Sequence, residues 1–398
     1  ISVTVTNVLE LVVTNTNATG TGSLHEAILN ANANVGVTDT ITFNIGCGGA
    51  QTINVDAAGL PLITDSIILD ATTQPGYSGT PLITLDGSAT PAASGINGIT
   101  IRASDSTVKG FIVINFADEG IEIDGSTGFG DNNTIQGNWV GIDSAGNVAG
   151  NAENGIMISD NATGNQIGGT GLNEGNVVGG NGFSGIIINE NSDNNVVEGN
   201  LVGVKADGTT PAANGLHGIH IQLSSDDNRI GGTTVAARNI IAANTQDGIF
   251  IDGTTDATHT TIPTGTVIQG NWIGTTGTGS VGVGNGNTGI NVEGSNTIIG
   301  GTGANDGNVI TNNGNEGINV TGAGATGTVI QGNLIGLDPD GVTGSGNTDV
   351  GIALLSGAHN TTIGGSTIAA RNIISNNFEG IEINSDNNTV QGNYIGTD

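Results

Sequence analysis

A short phrase of the form Ile-Gln-Gly-Asn-x-Ile-Gly recurs five times and limits what this chain can fold into more than any other feature. Its copies begin at Ile135, Val197, Ile268, Ile330 and Val390, and their Asn residues are 62, 71, 62 and 60 residues apart. A second phrase, Ile-Gly-Gly, alternates with it, and a third, Gly-Ile-x-Ile, marks every half of the repeat. Self-similarity at such a spacing is typical of a solenoid, in which each repeat buries its apolar side chains against its neighbours.

Each half-repeat contains three short apolar strings bounded by Gly and Asn, as in Gly155–Ile158, Asn165–Ile167 and Asn176–Val178. The period of two indicates strands, and the repeats show no helical period. Strands this short cannot bury a core alone, but coils stacked about 4.8 Å apart can. The pattern predicts an all-β parallel β-helix of about ten coils in alternating pairs over residues 98–398, with a strand, a cap and the first coils in residues 1–97.

The two halves of the repeat carry their extra residues at different corners of the predicted coil. In Ile-Gly-Gly coils the insertion falls between the second and third strands, as in residues 168–175. In Gln-Gly-Asn coils it follows the third strand, as in residues 143–154. We therefore predict two ridges of loops, each on alternate coils.

Asparagine begins the predicted third strand in nine consecutive coils. Because an amide both donates and accepts hydrogen bonds, stacked Asn side chains can bond to one another and to the backbone of the turn. This spacing predicts a buried ladder formed by Asn138, Asn176, Asn200, Asn239, Asn271, Asn308, Asn333, Asn372 and Asn393.

Residues before Gly98 do not follow the repeat. Ser23–Glu26 fits a capping box, and the apolar spacing that follows to Ala31 predicts a short amphipathic helix. Such a helix would cover the open first coil and block edge pairing there. Strands are predicted at 41–45, 67–70 and 83–86.

Several of these phrases also resemble a known family. Gly22–Ile28 looks like an SLREAI-type motif, Thr72–Tyr77 is similar to a phrase that follows it, and Ala-Arg-Asn-Ile-Ile occurs at Ala237 and Ala370. Over essentially its whole length the chain resembles secreted bacterial and archaeal right-handed parallel β-helix repeat proteins. The resemblance implies a right-handed coil, an extracellular or cell-surface location and no catalytic residues.

The charge balance excludes several classes of partner. Six Lys and Arg face 36 Asp and Glu, which gives a formal net charge of −30. Such a surface repels phosphate backbones and anionic membranes. The longest apolar run, Phe111–Ile114, is far shorter than the roughly 20 residues of a membrane helix. We predict neither nucleic-acid binding nor a membrane span.

Because parallel β-helices also occur as enzymes, the outward positions of the first strands need inspection. His220 with Gln222, Asp252, and Glu293 with Asn291 fall on three neighbouring coils. Carboxylates on adjacent coils would be about 5 Å apart, which suits a retaining glycosidase or raises the pKa of one of them. However, aromatic residues make up only 3% of the chain, and no Lys or Arg lies on a predicted first strand. We predict that the chain is not an enzyme, with a polysaccharide hydrolase or lyase that uses His220, Asp252 and Glu293 as the alternative.

One turn offers oxygen ligands for a cation. Asp338 and Asp340 lie in Asp338–Gly341, where their carboxylates suit Ca²⁺, although the segment does not match an EF-hand loop. The sequence thus leaves open a calcium-dependent carbohydrate-binding module, and it predicts no other cofactor.

The main prediction is a secreted structural rod with an adhesive or scaffold role at the cell surface or in filaments. The alternating residues Ile1, Val3 and Val5 are expected to cover the coil that contains Tyr394 and Ile395 in the next molecule, which would join rods head to tail. The competing interpretation is that further repeats of the same chain follow. A polysaccharide or a cell surface is the other expected partner.

Overall fold

The structure, a computed structural model, describes residues 11–92, 95–276 and 283–396. In these residues the chain winds into a right-handed parallel β-helix of about twelve turns, which confirms the predicted fold class. Each strand pairs with the equivalent strands of the coils on either side, and these ladders are parallel throughout.

Three strands in each coil build three sheets, which we call the first-strand, second-strand and third-strand sheets. The first-strand sheet contains Ile99–Ile101, Ile121–Asp124, Ile156–Ser159, Ile186–Ile188, Ile219–Ile221, Ile249–Ile251, Ile290–Val292, Ile318–Thr321, Val350–Leu355 and Glu379–Ile383. The second-strand sheet contains Val12–Val13, Asp39–Phe43, Ile67–Asp70, Thr107–Lys109, Thr134–Gln136, Gln166–Gly168, Val196–Glu198, Arg229–Gly231, Val267–Gln269, Ile298–Gly300, Val329–Gln331, Thr362–Gly364 and Thr389–Gln391. The third-strand sheet contains Gln51–Asn54, Ile83–Asp86, Phe111–Ile114, Trp139–Val140, Val177–Val178, Leu201–Val202, Ile240–Ile241, Trp272–Ile273, Val309–Ile310, Leu334–Ile335, Ile373–Ile374 and Tyr394–Ile395.

The core is a set of columns in which Ile and Val of one coil rest on those of the next. In the second-strand sheet, for example, Ile135, Ile167, Val197, Ile230 and Ile268 are all fully buried and aligned. β-Branched side chains suit this arrangement because they are stiff and pack well on a pleated surface. Each fully buried residue of this kind contributes about 1.5–3 kcal/mol. One continuous core runs from Val13 to Ile374.

The predicted capping helix is present at Leu24–Asn32. The hydroxyl of Ser23 accepts a hydrogen bond from the Glu26 amide at 3.2 Å, which caps its N-terminus. The helix packs on the first two strands of the second-strand sheet. Short 3₁₀ turns occur at Ala71–Thr73, Val235–Ala237 and Ile368–Ala370. Among the described residues, none of the helices is long and apolar enough to cross a membrane.

Two strands near the N-terminus differ from the prediction. The strand predicted at 41–45 spans Asp39–Phe43, because the Ile45 amide bonds to the side chain of Gln74 at 2.9 Å instead of to a strand. Gln51–Asn54 was not predicted, since it contains only one apolar residue, the buried Ile53. The strands at Ile67–Asp70 and Ile83–Asp86 are confirmed.

The predicted asparagine ladder is confirmed. Each side-chain amide donates to the Oδ1 atom of the next Asn at 2.8–3.1 Å, from Asn138 through to Asn393. The same Oδ1 atoms accept backbone N–H groups, as in the 3.0 Å bond from the Asn138 amide to Asn176. Apart from Asn393 at its end, the ladder is fully buried.

A second ladder, which was not predicted, occupies the corner between the third and first strands. It links its amides at 2.8–3.1 Å and consists of Asn151, Asn181, Asn214, Asn244, Asn285, Asn313, Asn347 and Asn377. The corner before the second strand has Asn133, Asn165, Asn195 and Asn228. Further along that corner the buried hydroxyls of Thr266, Thr297, Thr328 and Thr361 have no hydrogen-bond partner.

The two predicted loop positions are confirmed by the strand bounds. Gly168 and Val177 bound a loop between the second and third strands of one coil. In the coil before it, Val140 and Ile156 bound a loop after the third strand. This second loop type folds back on itself, as shown by an antiparallel bridge between Ile142 and Val148.

Candidate functional site

The outward face of the first-strand sheet carries two parallel rows of side chains. The first row contains Thr100, Glu122, Met157, Ile187, His220, Phe250, Asn291, Asn319, Ala353 and Glu382. The second row, two residues further along each strand, contains Arg102, Asp124, Ser159, Asn189, Gln222, Asp252, Glu293 and Thr321. Three ionisable side chains, His220, Asp252 and Glu293, lie on neighbouring coils of this face.

His220 and Asp252 lie side by side on two adjacent coils. The Nε2 atom of His220 lies 3.4 Å from Oδ2 of Asp252. Burial lowers the pKa of His220 even though Asp252 lies beside it, so the imidazole is mostly neutral at pH 7. Burial alone would raise the pKa of Asp252, but hydrogen bonds from His220 and Thr254 outweigh it and lower that pKa. Asp252 is therefore a carboxylate over the working range of pH.

Glu293 lies on the following coil, as predicted. Its Oε2 atom accepts a hydrogen bond from the Gly253 amide at 3.2 Å, directly beside Asp252. Burial and then the charge of Asp252 raise the pKa of Glu293. Two neighbouring carboxyl groups thus have their pKa values pushed in opposite directions.

A second His–Asp pair lies next to the first. Nδ1 of His217 is 3.3 Å from Oδ2 of Asp247. The ring centres of His217 and His220 are 5.0 Å apart, and Phe250 lies 4.9 Å and 5.2 Å from them. Asp247 also accepts hydrogen bonds from Asn287 and Thr288 at 2.7 and 2.9 Å. The cluster therefore holds two imidazoles around one aromatic ring.

His217 and Asp247 were not predicted because they precede the Gly of the Gly-Ile-x-Ile phrase instead of lying within it. That position is polar in seven consecutive coils, where it reads Glu119, Asn154, Ser184, His217, Asp247, Thr288 and Glu316. Hydrogen bonds link some of these neighbours, such as Thr288 Oγ1 to Glu316 Oε2 at 2.7 Å. A repeating polar position beside a strand face is the pattern that would have revealed them.

Positive charge lies at the other end of the same face. Arg102 directly follows the strand Ile99–Ile101, and its Nε is 2.5 Å from Oδ2 of Asp124. Beside it, burial and then the charge of Asp124 raise the pKa of Glu122 to about 7. Asp124 and Asp252 are four coils apart in the second row, about 19 Å. Arg102 is therefore too far away to contact Asp252. In the described part of the chain, the basic partners of Asp247 and Asp252 are histidines.

The predicted calcium ligands lie in a turn that already uses their oxygens. Asp340 accepts hydrogen bonds from the amides of Val342 and Thr343 at 2.9 Å, and the Thr343 hydroxyl lies 3.3 Å from Asp338. A calcium ion at Asp338 and Asp340 stays a prediction.

Another carboxylate cluster lies elsewhere in the described residues. Asp118, Glu119 and Glu153 bring carboxylate oxygens within 4.8 Å of one another. Burial, and then the charge of Asp118, raise the pKa of Glu119 to about 8.

The residues predicted for head-to-tail assembly are only partly described. Tyr394 and Ile395 form the last described strand of the third-strand sheet, and their side chains are 48% and 46% exposed. Ile1, Val3 and Val5 lie outside the described residues. Assembly through these segments stays a prediction.

Solved structures with a similar fold include a tailspike protein, a mannuronan C-5 epimerase module and an alginate lyase. The Dettilon tailspike protein (gp208) is 15% identical, with a TM-score of 0.49, and the match covers 91% of this chain and 65% of that one. The Azotobacter vinelandii mannuronan C-5 epimerase AlgE4 A-module is 14% identical, with 95% of both chains covered and a TM-score of 0.48. The alginate lyase from Paenibacillus sp. str. FPU-7 is 13% identical, with 96% and 99% covered and a TM-score of 0.37. No protein-family model and no curated protein matches the chain.

These findings contradict the prediction that the chain is not an enzyme, because the similar structures include chains named as an epimerase and a lyase. The prediction fails for a physical reason. It counted aromatic and basic residues over the whole chain, whereas acid–base chemistry depends on a few groups that the coil stacking brings together. His217 and Asp247, which were missed, add a second His–Asp pair to this face.

Proposed function

We propose that this protein is a polysaccharide-active enzyme whose acid–base groups are Asp252, Glu293 and His220 on the first-strand sheet. The observation that carries the proposal is that stacking brings Asp252 and Glu293 together on adjacent coils beside His220, with the pKa values of the two carboxyl groups shifted in opposite directions. A pair of carboxyl groups whose environments push their pKa values apart is how glycosidases obtain an acid and a carboxylate in one site.

The proposed reaction is hydrolysis of a glycosidic bond. Glu293, whose pKa is raised, serves as the acid and gives its proton to the departing sugar oxygen, while the Asp252 carboxylate attacks the anomeric carbon and forms a glycosyl–enzyme ester. Glu293, now ionised, then takes a proton from water as that water displaces Asp252. Their positions on adjacent coils, about 5 Å apart, suit this retaining course rather than an inverting one. His220 holds Asp252 in place at 3.4 Å and keeps it ionised.

The shape and charge of the face favour a long, neutral glycan. The site lies on a strand face that continues over ten coils, so a polymer can lie along it. Phe250 offers an apolar ring between the two histidines. Asp247, Asp252, Glu293 and Glu316 would repel a uronate unless cations screened them. Polysaccharides of this size lie outside cells, and a secreted location, which the family resemblance implies, belongs to this proposal.

The test is incubation with a panel of neutral and uronic-acid polysaccharides, with new reducing ends and unsaturated products measured separately. We expect reducing ends from a neutral glycan and no absorbance of unsaturated uronates. Glu293→Gln and Asp252→Asn should lower the rate at least 100-fold. Glu382→Gln is the matched control, because it makes the same change four coils away from Phe250 on the same row.

Two results would contradict the proposal. One is the absence of any product over the whole panel with folded protein. The other is equal loss in Glu382→Gln and Glu293→Gln. Unsaturated products that depend on His220 would instead support a lyase at the same site.

A further inference from the structure

A different face of the molecule, the outward side of the third-strand sheet, is apolar along ten consecutive coils. The aligned side chains are Ile112, Trp139, Val177, Leu201, Ile240, Trp272, Val309, Leu334, Ile373 and Tyr394. Both Trp residues and one of the two Tyr residues of the chain are in this row. An outward row that is apolar throughout is unusual for a solvated sheet face and marks a candidate binding surface.

The three aromatic residues recur at every fourth coil but have different surroundings. The guanidinium of Arg238 lies 4.0 Å from the centre of the Trp272 ring, and that of Arg371 lies 3.8 Å from the Tyr394 ring. Each arginine stands two residues before the strand position that aligns with the ring. At Trp139 the equivalent residue is Gly110, which has no side chain to cover the indole.

Trp139 instead lines a cleft of about 460 Å³. Val177 and Leu201 form its apolar part, while Thr80, Asn173 and Asp207 bring polar groups to its rim. A second cleft of about 250 Å³ shares Gly137 and Asn173 with the first, and Tyr77, Lys109, Gln136 and Glu174 also line it. Small-molecule sites typically have these volumes and this mixture of aromatic, apolar and a few polar groups.

We propose that the two adjoining clefts bind a neutral oligosaccharide whose sugar ring packs on the indole of Trp139. The C–H face of a sugar matches the apolar surface of Trp139 and Leu201, and its hydroxyls match the donors and acceptors of Asn173, Gln136 and Thr80. Charge excludes an acidic ligand. Lys109 is paired with Asp70 at 3.0 Å, so Glu174 and Asp207 leave the clefts negative.

This binding site is independent of the proposed catalytic face. Trp139 lies on the third-strand sheet, whereas Asp252 and Glu293 lie on the first-strand face. Glycan binding at the Trp139 clefts and activity at the first-strand face can therefore be measured separately. The site would hold a polymer on the rod whether or not the other face cleaves it.

The experiment titrates the full chain with neutral hexasaccharides built from glucose, xylose, mannose or N-acetylglucosamine. Calorimetry gives the affinity, and Trp272→Phe leaves Trp139 as the only indole fluorophore. We expect a saturable fluorescence change in Trp272→Phe and at least tenfold weaker binding in Trp139→Ala. Trp272→Ala is the matched control, since it removes the same side chain from the same row where Arg238 covers it, and it should bind as the unaltered protein does.

Gln136→Ala, on the rim, provides a second variant if Trp139→Ala does not fold, and we expect at least threefold weaker binding. Equal affinities of the Trp139→Ala and Trp272→Ala variants would overturn the proposal. So would the absence of saturable binding to all four glycans, or tighter binding of a uronic-acid hexasaccharide. A dimer in sedimentation that Trp139→Ala dissociates would show that a second copy of the chain occupies the clefts, which also refutes a glycan site.

Discussion

Replacing Asn271 by Ala removes one step from the middle of the longest ladder, where the cost can be worked out atom by atom. The Oδ1 atom of Asn271 accepts two hydrogen bonds from Asn239, from the backbone amide at 3.3 Å and the side-chain amide at 2.9 Å. Its own Nδ2 donates to the Ile230 carbonyl at 2.9 Å and to Asn308 at 3.1 Å. All of these groups are buried.

The replacement leaves two donor hydrogens of Asn239 without an acceptor. A buried unpaired group costs about 1–3 kcal/mol, so Asn271→Ala should lower the free energy of unfolding by about 2–6 kcal/mol. Thr297→Val is the matched control in another corner. The buried Thr297 hydroxyl already has no partner, so replacing it by a methyl group should leave stability unchanged or raise it by up to about 1–3 kcal/mol.

Guanidinium unfolding followed by circular dichroism measures both variants against the unaltered chain. Because stacked coils can unfold in parts, calorimetry should accompany it to show whether the transition stays cooperative. A loss of stability in Asn271→Ala no larger than in Thr297→Val would refute the reasoning. Asn393→Ala, at the half-buried end of the ladder, should give a smaller loss than Asn271→Ala.

Three further predictions follow from the pKa shifts and the glycine turns. Because burial raises the pKa of Glu119 to about 8 in the folded chain, the free energy of unfolding falls as the pH rises from the ordinary pKa of a glutamate toward 8. In denaturant titrations Glu119→Gln should therefore add about 2–4 kcal/mol to the free energy of unfolding at pH 8 and little at pH 4, and the exposed Glu379→Gln is the matched control. If catalysis requires an ionised Asp252 and a protonated Glu293, the plot of kcat/KM against pH should be bell-shaped, with an acidic optimum between the two pKa values. Glu293→Gln should abolish the fall in rate on the alkaline side, along with most of the rate itself. At Gly231, where φ is +79°, an added Cβ would overlap the Gln269 carbonyl, so Gly231→Ala should lower the free energy of unfolding by more than about 3 kcal/mol. Gly341 has φ +70° but open space around it, so Gly341→Ala should lower it by only about 1 kcal/mol in the same assay.

The coil and its main ladder could be predicted because each depends on a residue at a constant offset from a strand. Asn271 directly precedes Trp272, and Asn138 directly precedes Trp139, although the loops of their coils differ in length and sequence. The second ladder was missed because its distance from the preceding strand alternates: Asn214 stands 12 residues after Val202, whereas Asn244 stands 3 residues after Ile241. Both nevertheless stand four residues before the Gly of the next Gly-Ile-x-Ile phrase, and that offset would have revealed the ladder. The third corner changes from Asn228 to Thr266, which hides its continuity.

The face proposed to be catalytic was predicted only in part, for a related reason. His220, Asp252 and Glu293 occupy strand positions, and stacking alone fixes their neighbours. His217 and Asp247 lie in turns, where only the packing of successive coils decides that their side chains meet at 3.3 Å. The pKa shifts could not be predicted, because they depend on burial by loops that the repeat does not specify.

Successive coils carry their long loops at different corners, and this alternation determines how many coils must be added when such a rod lengthens. The loop closed by the bridge between Ile142 and Val148 is two chain segments wide, so with its side chains it spans about 10 Å along the axis. One coil rises only about 4.8 Å, and two such loops on consecutive coils would collide. The repeating unit is accordingly two coils long, as the 62-residue spacing of Asn138 and Asn200 shows. An engineered rod that gains a single coil should require one of its flanking loops to be cut to a tight turn.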